Sequence, residues 1–278
     1  MKAWTYVDGR WVEGNPMVLG PMSHATWLSS IIFDGARAFE GVTPDLDLHC
    51  QRAVRSAENM LMKPMLSAGE IEEICKEGVR KFPKNAELYI RPMFFAEGGW
   101  IDPDPTTTRF MCSVYESPLP KGGFSACLSQ FRRPSPETAP TDAKASCLYP
   151  LAGRIMMEAK TKGFENAIVR DMNGNVAEFA TANLFFVKDG VVSTPILNGT
   201  FLPGVTRARI IDLLKKGGYE VQERTVKVKE VLEADEVFSS GNYAKVQPCT
   251  RVEERHLQAG PVYKHARELY WEYAHKGA

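Results

Sequence analysis

Three short turns rich in Asp, Asn and Gly do most to limit how this chain can fold. Asp8-Gly9 separates Trp4-Thr5-Tyr6-Val7 from Arg10-Trp11-Val12. Asp171-Met172-Asn173-Gly174-Asn175 follows Asn166-Ala167-Ile168-Val169-Arg170, and Asp189-Gly190 precedes Val191-Val192. Each is flanked by apolar or alternating residues, and an Asp-Gly pair tolerates the positive φ angles that close a right-twisted hairpin. Antiparallel strands are therefore predicted in both halves. The acidic turn at 171–175 faintly resembles a calcium loop, but it lacks the closing glutamate and the flanking helices, so a hairpin turn is the expectation.

Between these turns the apolar spacing changes to that of helices. Residues 49–62 place Ala53, Val54, Ala57, Met60 and Leu61 on one face, and 68–81 do the same with Ile71, Ile74, Cys75 and Val79. Further helices are predicted over 150–162, after Leu202-Pro203-Gly204, and over 261–275. Strands are expected at 88–95, 110–115, 124–128, 166–170 and 236–238, with a single return strand over 176–187. The combination predicts an α+β protein. Ser117-Pro118-Leu119-Pro120-Lys121-Gly122-Gly123 has linker composition, which gives a small N-terminal domain (1–116), a linker (117–123) and a larger C-terminal domain (124–278).

With 278 residues and 44% hydrophobic content, the chain can fill two cores. Lys plus Arg and Asp plus Glu are both 34, so no global field favours nucleic acid or an anionic membrane, and small molecules are the expected partners. No apolar run approaches the roughly 20 residues of a membrane span, and the N-terminus lacks a signal-peptide core, so a cytoplasmic location is expected. Cys50, Cys75, Cys112, Cys127, Cys147 and Cys249 are scattered without metal-ligand spacing and read as reduced thiols. Cys147, three residues after Lys144, either lines the same cavity or is a small buried hydrophobe, the second being the expectation.

Chemistry concentrates at a few positions. Lys144, between Ala143 and Ala145, has no large neighbour to cover its stem. Its amine either runs to solvent or enters a cavity, where desolvation favours the neutral form that attacks a carbonyl. Glu178 interrupts the apolar run from Val176 to Val187, and burying it demands a positive partner. Arg52 borders the apolar face of its helix and can reach an anion or water. Arg91, in Leu88–Phe95, calls for either a substrate carboxylate or a structural salt bridge. Phe39, between glycines, suits a cleft edge or a buried strand. Val205 and Thr206 open a helix after Gly204, suiting a phosphate or an ordinary cap. Ser239-Ser240-Gly241-Asn242-Tyr243 is a second donor-rich turn.

A nucleophilic lysine, a buried acid, donor-rich turns and an inward arginine form the set that a pyridoxal phosphate (PLP) site requires. The order Thr141-Asp142-Ala143-Lys144, Tyr149, Glu178 before Asn183-Leu184-Phe185, Leu202-Pro203-Gly204-Val205-Thr206-Arg207 and Ser240-Gly241-Asn242 resembles the fold-type IV PLP enzymes (class IV aminotransferases). Within them it is most similar to the branched-chain amino acid aminotransferases, from Met22-Ser23-His24-Ala25 and Phe39-Glu40-Gly41 through Tyr89-Ile90-Arg91-Pro92 to the final helix. The resemblance implies a two-domain fold, a small α/β domain and a larger barrel-like one, with the site between them and a homodimer or larger homo-oligomer completing it.

The resemblance also implies roles. Lys144 is then the Schiff-base lysine and proton shuttle, Tyr149 the partner of the cofactor's phenolic oxygen, and Glu178 the partner of its pyridine nitrogen. Arg52, Val205, Thr206 and Asn242 hold the phosphate. Phe39, Tyr89, Arg91 and Tyr243 line or close the substrate pocket. The implied reaction moves an amino group between a branched-chain L-amino acid and 2-oxoglutarate. Alternatives on the same cofactor are a D-amino acid or (R)-amine transaminase and an aminodeoxychorismate lyase-like enzyme. A binding protein on a decayed enzyme fold is the reading without chemistry. The chain departs from the family where Asn242 replaces a common threonine, Tyr243 a small residue and Phe179 a common glycine, and where the segment before Phe39 is about two residues longer.

Overall fold

The computed structural model describes residues 2–276. They form two compact units: 2–119 with Asp142–Leu148, and Pro120–Thr141 with 149–276. The division at Leu119/Pro120 falls inside the Pro/Gly segment. Asp142–Leu148 clusters with the first unit. Ala145 bridges Ile32, the Lys144 N–H donates to Ser56 Oγ at 3.0 Å, and Asn59 Nδ2 donates to Asp142 Oδ2 at 3.0 Å. Ala143 and Ala145 are small enough to be completely buried there.

In the first unit, β1 (Ala3–Val7), β2 (Arg10–Glu13), β3 (Ile31–Phe33), β4 (Ala36–Ala38), β5 (Leu88–Ala96) and β6 (Thr108–Glu116) form an antiparallel sheet. Its order is β2-β1-β6-β5-β3, with β4 also on β5. Asp8 and Gly9 both take positive φ, 51° and 78°, as the Asp-Gly hairpin requires. A short α1 (His24–Leu28) precedes α2 (Leu46–Asn59) and α3 (Ala68–Val79). The predicted face of α2 is buried at Ala53 and Ala57, and α3 starts with a capping box between Ser67 and Glu70. Cys50, Cys75 and Cys112 meet in this core, with Cys75 and Cys112 Sγ 3.7 Å apart. Thiol–thiol contact and burial push the Cys50 and Cys75 thiols far up, so they pack as small neutral groups.

The second unit contains β7 (Phe124–Arg132), β8 (Asn166–Arg170), β9 (Val176–Phe179), β10 (Asn183–Lys188), β11 (Val191–Pro195), β12 (Val221–Arg224), β13 (Glu236–Gly241), β14 (Lys245–Val252) and β15 (Arg255–His256). The sheet order is β12-β11-β10-β13-β14-β7-β8-β9, with β15 on β14. Helix α4 (Tyr149–Thr161) is the crossover between parallel β7 and β8, and α5 (Val205–Lys216) the one between parallel β11 and β12. A short α6 (Val228–Leu232) follows, and α7 (Pro261–His275) closes the chain. The Val176 N–H donates to Val226 O at 2.9 Å, which ties β9 to the segment after β12 and curls the sheet towards a barrel. Together the two units make the α+β architecture expected.

Residues 176–187, read from sequence as one strand, are two. The Phe179 N–H donates to Ala182 O at 2.9 Å, reversing the chain over Ala180-Thr181-Ala182. The run is apolar on both sides of the turn because both strands are buried on both faces, so the hydrophobic pattern carries no mark of the break.

A buried charge cluster sits in the first unit. Arg52 grips Asp34 through Nε–Oδ2 at 2.7 Å and Nη2–Oδ1 at 2.9 Å, and His49 Nδ1 lies 2.7 Å from Oδ1. Burial of Asp34 works to raise its carboxyl. Arg52 and His49 outweigh that and hold it far below the usual range. The stability this contributes is fully present above the ordinary aspartate range near pH ~4 and is lost as pH falls below it. Asp34→Asn should therefore cost about 3 kcal/mol in urea unfolding at pH 7, with the deficit constant down to about pH 4 and shrinking only below. A second expectation concerns packing. A Cβ on Gly78 of α3 would stand 2.3 Å from Trp11 and 2.7 Å from Val114, so Gly78→Ala should destabilise by about 1–3 kcal/mol by overpacking in the same assay.

Candidate active site

Lys144 is positioned by its backbone. Besides the Ser56 bond, its carbonyl accepts from the Phe33 N–H at 3.2 Å, so the peptide on each side of the lysine is pinned to α2 and β3. The half-buried side chain then lies over the Phe33 ring, with Nζ 4.9 Å from the centroid. An aromatic face supplied by another segment thus meets the amine that its alanine neighbours are too small to reach. Cys147 is exposed rather than buried, because the 3-10 turn Ser146–Leu148 points it away from the packed alanines.

Arg91 approaches the same ring, its guanidinium 5.9 Å from the Phe33 centroid. Phe33 therefore brings Lys144 and Arg91 together, a link absent from the sequence reading. Arg91 donates through Nη2 to the Tyr115 hydroxyl and lies 5.2 Å from the rings of both Tyr89 and Tyr115, which stack on one another. Burial pushes the Tyr115 hydroxyl up despite Arg91, so it stays neutral and accepts. Of the two readings of Arg91, the structural salt bridge is not what forms: among the described residues its ion-pair capacity is unused. Tyr89 is half-buried and Phe39 fully buried, bridging Val42. Arg52 has one edge of its fork committed to Asp34, which fixes the plane of the guanidinium.

In the second unit Glu178 is the penultimate residue of β9. Arg133 Nη2 meets its Oε1 at 2.9 Å, and Asn183 Nδ2 donates to Oε2 at 3.1 Å across the turn. Arg133 is the positive partner that a buried acid demanded. Sequence reasoning passed over it because it lies 45 residues upstream, just past the end of β7, and only the parallel β7–β8 pairing brings it to β9. The same arginine donates to Ala180 O at 2.8 Å, bracing the turn. Tyr149, at the first turn of α4, is 39% exposed.

Asn183 links the acid to the donor-rich turns. A Cβ on Gly204 would meet Asn183 Oδ1 at 2.0 Å, so glycine is required where the start of α5, with Val205 and buried Thr206, abuts β10. Asn183 pairs with Ser240 across β10–β13, which puts their side chains on one face of the sheet. Ser240 Oγ and Asn242 Nδ2 are buried and have no hydrogen-bond partner among the described residues. Tyr243, beside them, is 58% exposed. A helix N-terminus beside two unpartnered donors fits a phosphate, and an acid held by an arginine and an amide fits a protonated ring nitrogen. These residues fit PLP. No group of acidic, His and Cys side chains among the described residues could hold a metal ion, and no helix among them is long and apolar enough to cross a membrane.

Comparison with known proteins identifies the family. The amino-transferase class IV profile matches residues 31–252. A branched-chain-amino-acid aminotransferase of Salmonella typhimurium is 31% identical over 96% of this chain and 92% of its own. Among solved structures, an aminotransferase from Brucella abortus bound to the cofactor PLP superposes with a TM-score of 0.98 at 49% identity, covering 99% of this chain and all of that one. The Escherichia coli branched-chain amino acid aminotransferase superposes with a TM-score of 0.91 at 31% identity, covering 99% and 95%. With a lysine pinned beside an arginine, a braced acid and an anion cradle in place, and with this match along nearly its whole length, the chain belongs to the class IV aminotransferases.

Proposed function

We propose that the protein is a PLP-dependent transaminase that moves the amino group of a branched-chain L-amino acid to 2-oxoglutarate. The observation that carries this reading is Lys144: an amine held over Phe33, next to an arginine with no acid of its own, in a chain 49% identical to an aminotransferase bound to PLP. PLP, when bound, supplies the electron-accepting ring that makes a substrate Cα–H acidic. Nζ of Lys144 would anchor the cofactor and would move the substrate's Cα proton. Glu178, its charge met by Arg133, would accept a hydrogen bond from the cofactor's ring nitrogen and so favour its protonated form. Tyr149 donates to the phenolic oxygen. Val205, Thr206 and Asn242 donate to the phosphate, and Arg52, oriented by Asp34, adds positive charge.

On the substrate side, Arg91 receives a carboxylate, with Tyr89 and Tyr115 excluding water from the pair. This favours amino and oxo acids over amines that lack a carboxylate. Phe39 and Tyr243 bound the apolar end of the substrate. The working form is a cytoplasmic homodimer; the formal net charge is zero and, among the described residues, no helix is long and apolar enough to cross a membrane.

Borohydride reduction of PLP-loaded protein should place the label on a peptide containing Lys144, and a label elsewhere would falsify the assignment. Lys144→Ala should lower turnover by about a thousandfold or more. Glu178→Gln should lower kcat by about a hundredfold with a much smaller change in KM. With 2-oxoglutarate as acceptor, leucine should turn over faster than D-alanine or a simple (R)-amine; the reverse order would move the enzyme to another branch of the family.

A further inference from the structure

Lys245 is a fully buried lysine that the proposed chemistry does not use. It opens β14 opposite Gly241, after the three-residue loop Asn242-Tyr243-Ala244, and takes φ +61°. Glycine is the usual occupant of that left-handed position at the end of such a loop, because a side chain there is strained. Here the side chain turns into the unit, beneath α7, with Nζ 5.9 Å from the Tyr270 ring centroid and 2.9 Å from Asn242 Oδ1. An ammonium only donates, so the amide atom facing it must be the oxygen. The amide nitrogen of Asn242 is thereby turned away from Lys245, and it is a buried donor without a partner among the described residues. Ser240, two residues earlier, carries another on the face where the start of α5 abuts Asn183.

We propose that Lys245 is a positioning residue for the cofactor's phosphate: by holding Asn242 Oδ1 it presents Asn242 Nδ2, alongside Ser240 Oγ and the first N–H groups of α5, as a donor to a phosphate dianion. The inference rests on the PLP reading and goes beyond it by naming what orients the donor. An amide free to rotate would offer oxygen or nitrogen, and oxygen repels a phosphate. A cation behind the amide removes that ambiguity and adds positive potential to the cradle.

The test uses the full-length apoprotein titrated with PLP and, separately, with pyridoxal, which has the aldehyde but no phosphate, following imine absorbance. Lys245→Met should weaken PLP about tenfold, the worth of one buried hydrogen bond to a charged group, and leave pyridoxal unchanged. In an Asn242→Ala background, Lys245→Met should add little further loss. Equal weakening of PLP and pyridoxal would mean a general packing role and overturn the proposal. So would an unchanged PLP affinity, or a full tenfold loss persisting without Asn242. Should Lys245→Met not fold, Lys245→Gln is scored the same way: a loss confined to PLP supports the proposal and a loss shared with pyridoxal overturns it. If the unaltered protein takes up neither compound, the PLP reading itself fails; if it takes up PLP and the variants match it, only the role of Lys245 fails.

Discussion

The fixed backbone of Lys144 is the constraint on which the proposed chemistry depends. A primary amine on four methylenes loses much conformational entropy when held at one point, and nothing in Ala143 or Ala145 opposes that freedom locally. The chain restricts it by returning Asp142–Leu148 to the first unit, where Ser56 and Phe33 hold the peptide groups on either side of the lysine and two alanines vanish into the core. With Cα placed this way, the Phe33 ring limits where the amine can go, and the same ring limits Arg91. One phenylalanine thus sets the relation between Lys144, the proposed nucleophile, and Arg91, the proposed receiver of a carboxylate.

The charges away from solvent follow one rule: each is oriented by a hydrogen-bonding partner on a different segment. Asp34 on the β3–β4 connection orients Arg52 of α2, Arg133 after β7 meets Glu178 of β9, and Lys245 opening β14 holds Asn242 of the preceding loop. A charge taken out of water without such a partner would shift its protonation state or swing back to solvent. The partners give orientation as well as neutrality. The Asp34 pair commits one edge of the Arg52 fork, and the ammonium of Lys245 decides which end of an amide faces outward.

Much of this was legible in the residues. The Asp-Gly turns and the amphipathic stretches of α2, α3 and α4 announced an α+β chain, because hairpin φ angles and helical apolar spacing are local properties. The acid at 178 announced a positive partner, because buried carboxylates need one. Arg133 was not legible as that partner, since its nearness to Glu178 depends on a parallel pairing made through the α4 crossover. The break at 180–182 was hidden for a related reason, as two strands buried on both faces read as one apolar run. Cys147 was misjudged because the packing of Ala143 and Ala145 decides which way the following turn faces.

The sequence by itself determined the types of element, the balance of charge and the motif order that marks a class IV aminotransferase, since these depend on near neighbours and on residue identity. Tertiary structure alone decided that Phe33 joins Lys144 to Arg91, that Arg133 and Asn183 brace Glu178, and that a lysine in a glycine's backbone conformation orients Asn242. Those relations are set by which strands pair and where the chain turns back, and the energies that select them come from burial summed over whole units rather than from any short stretch.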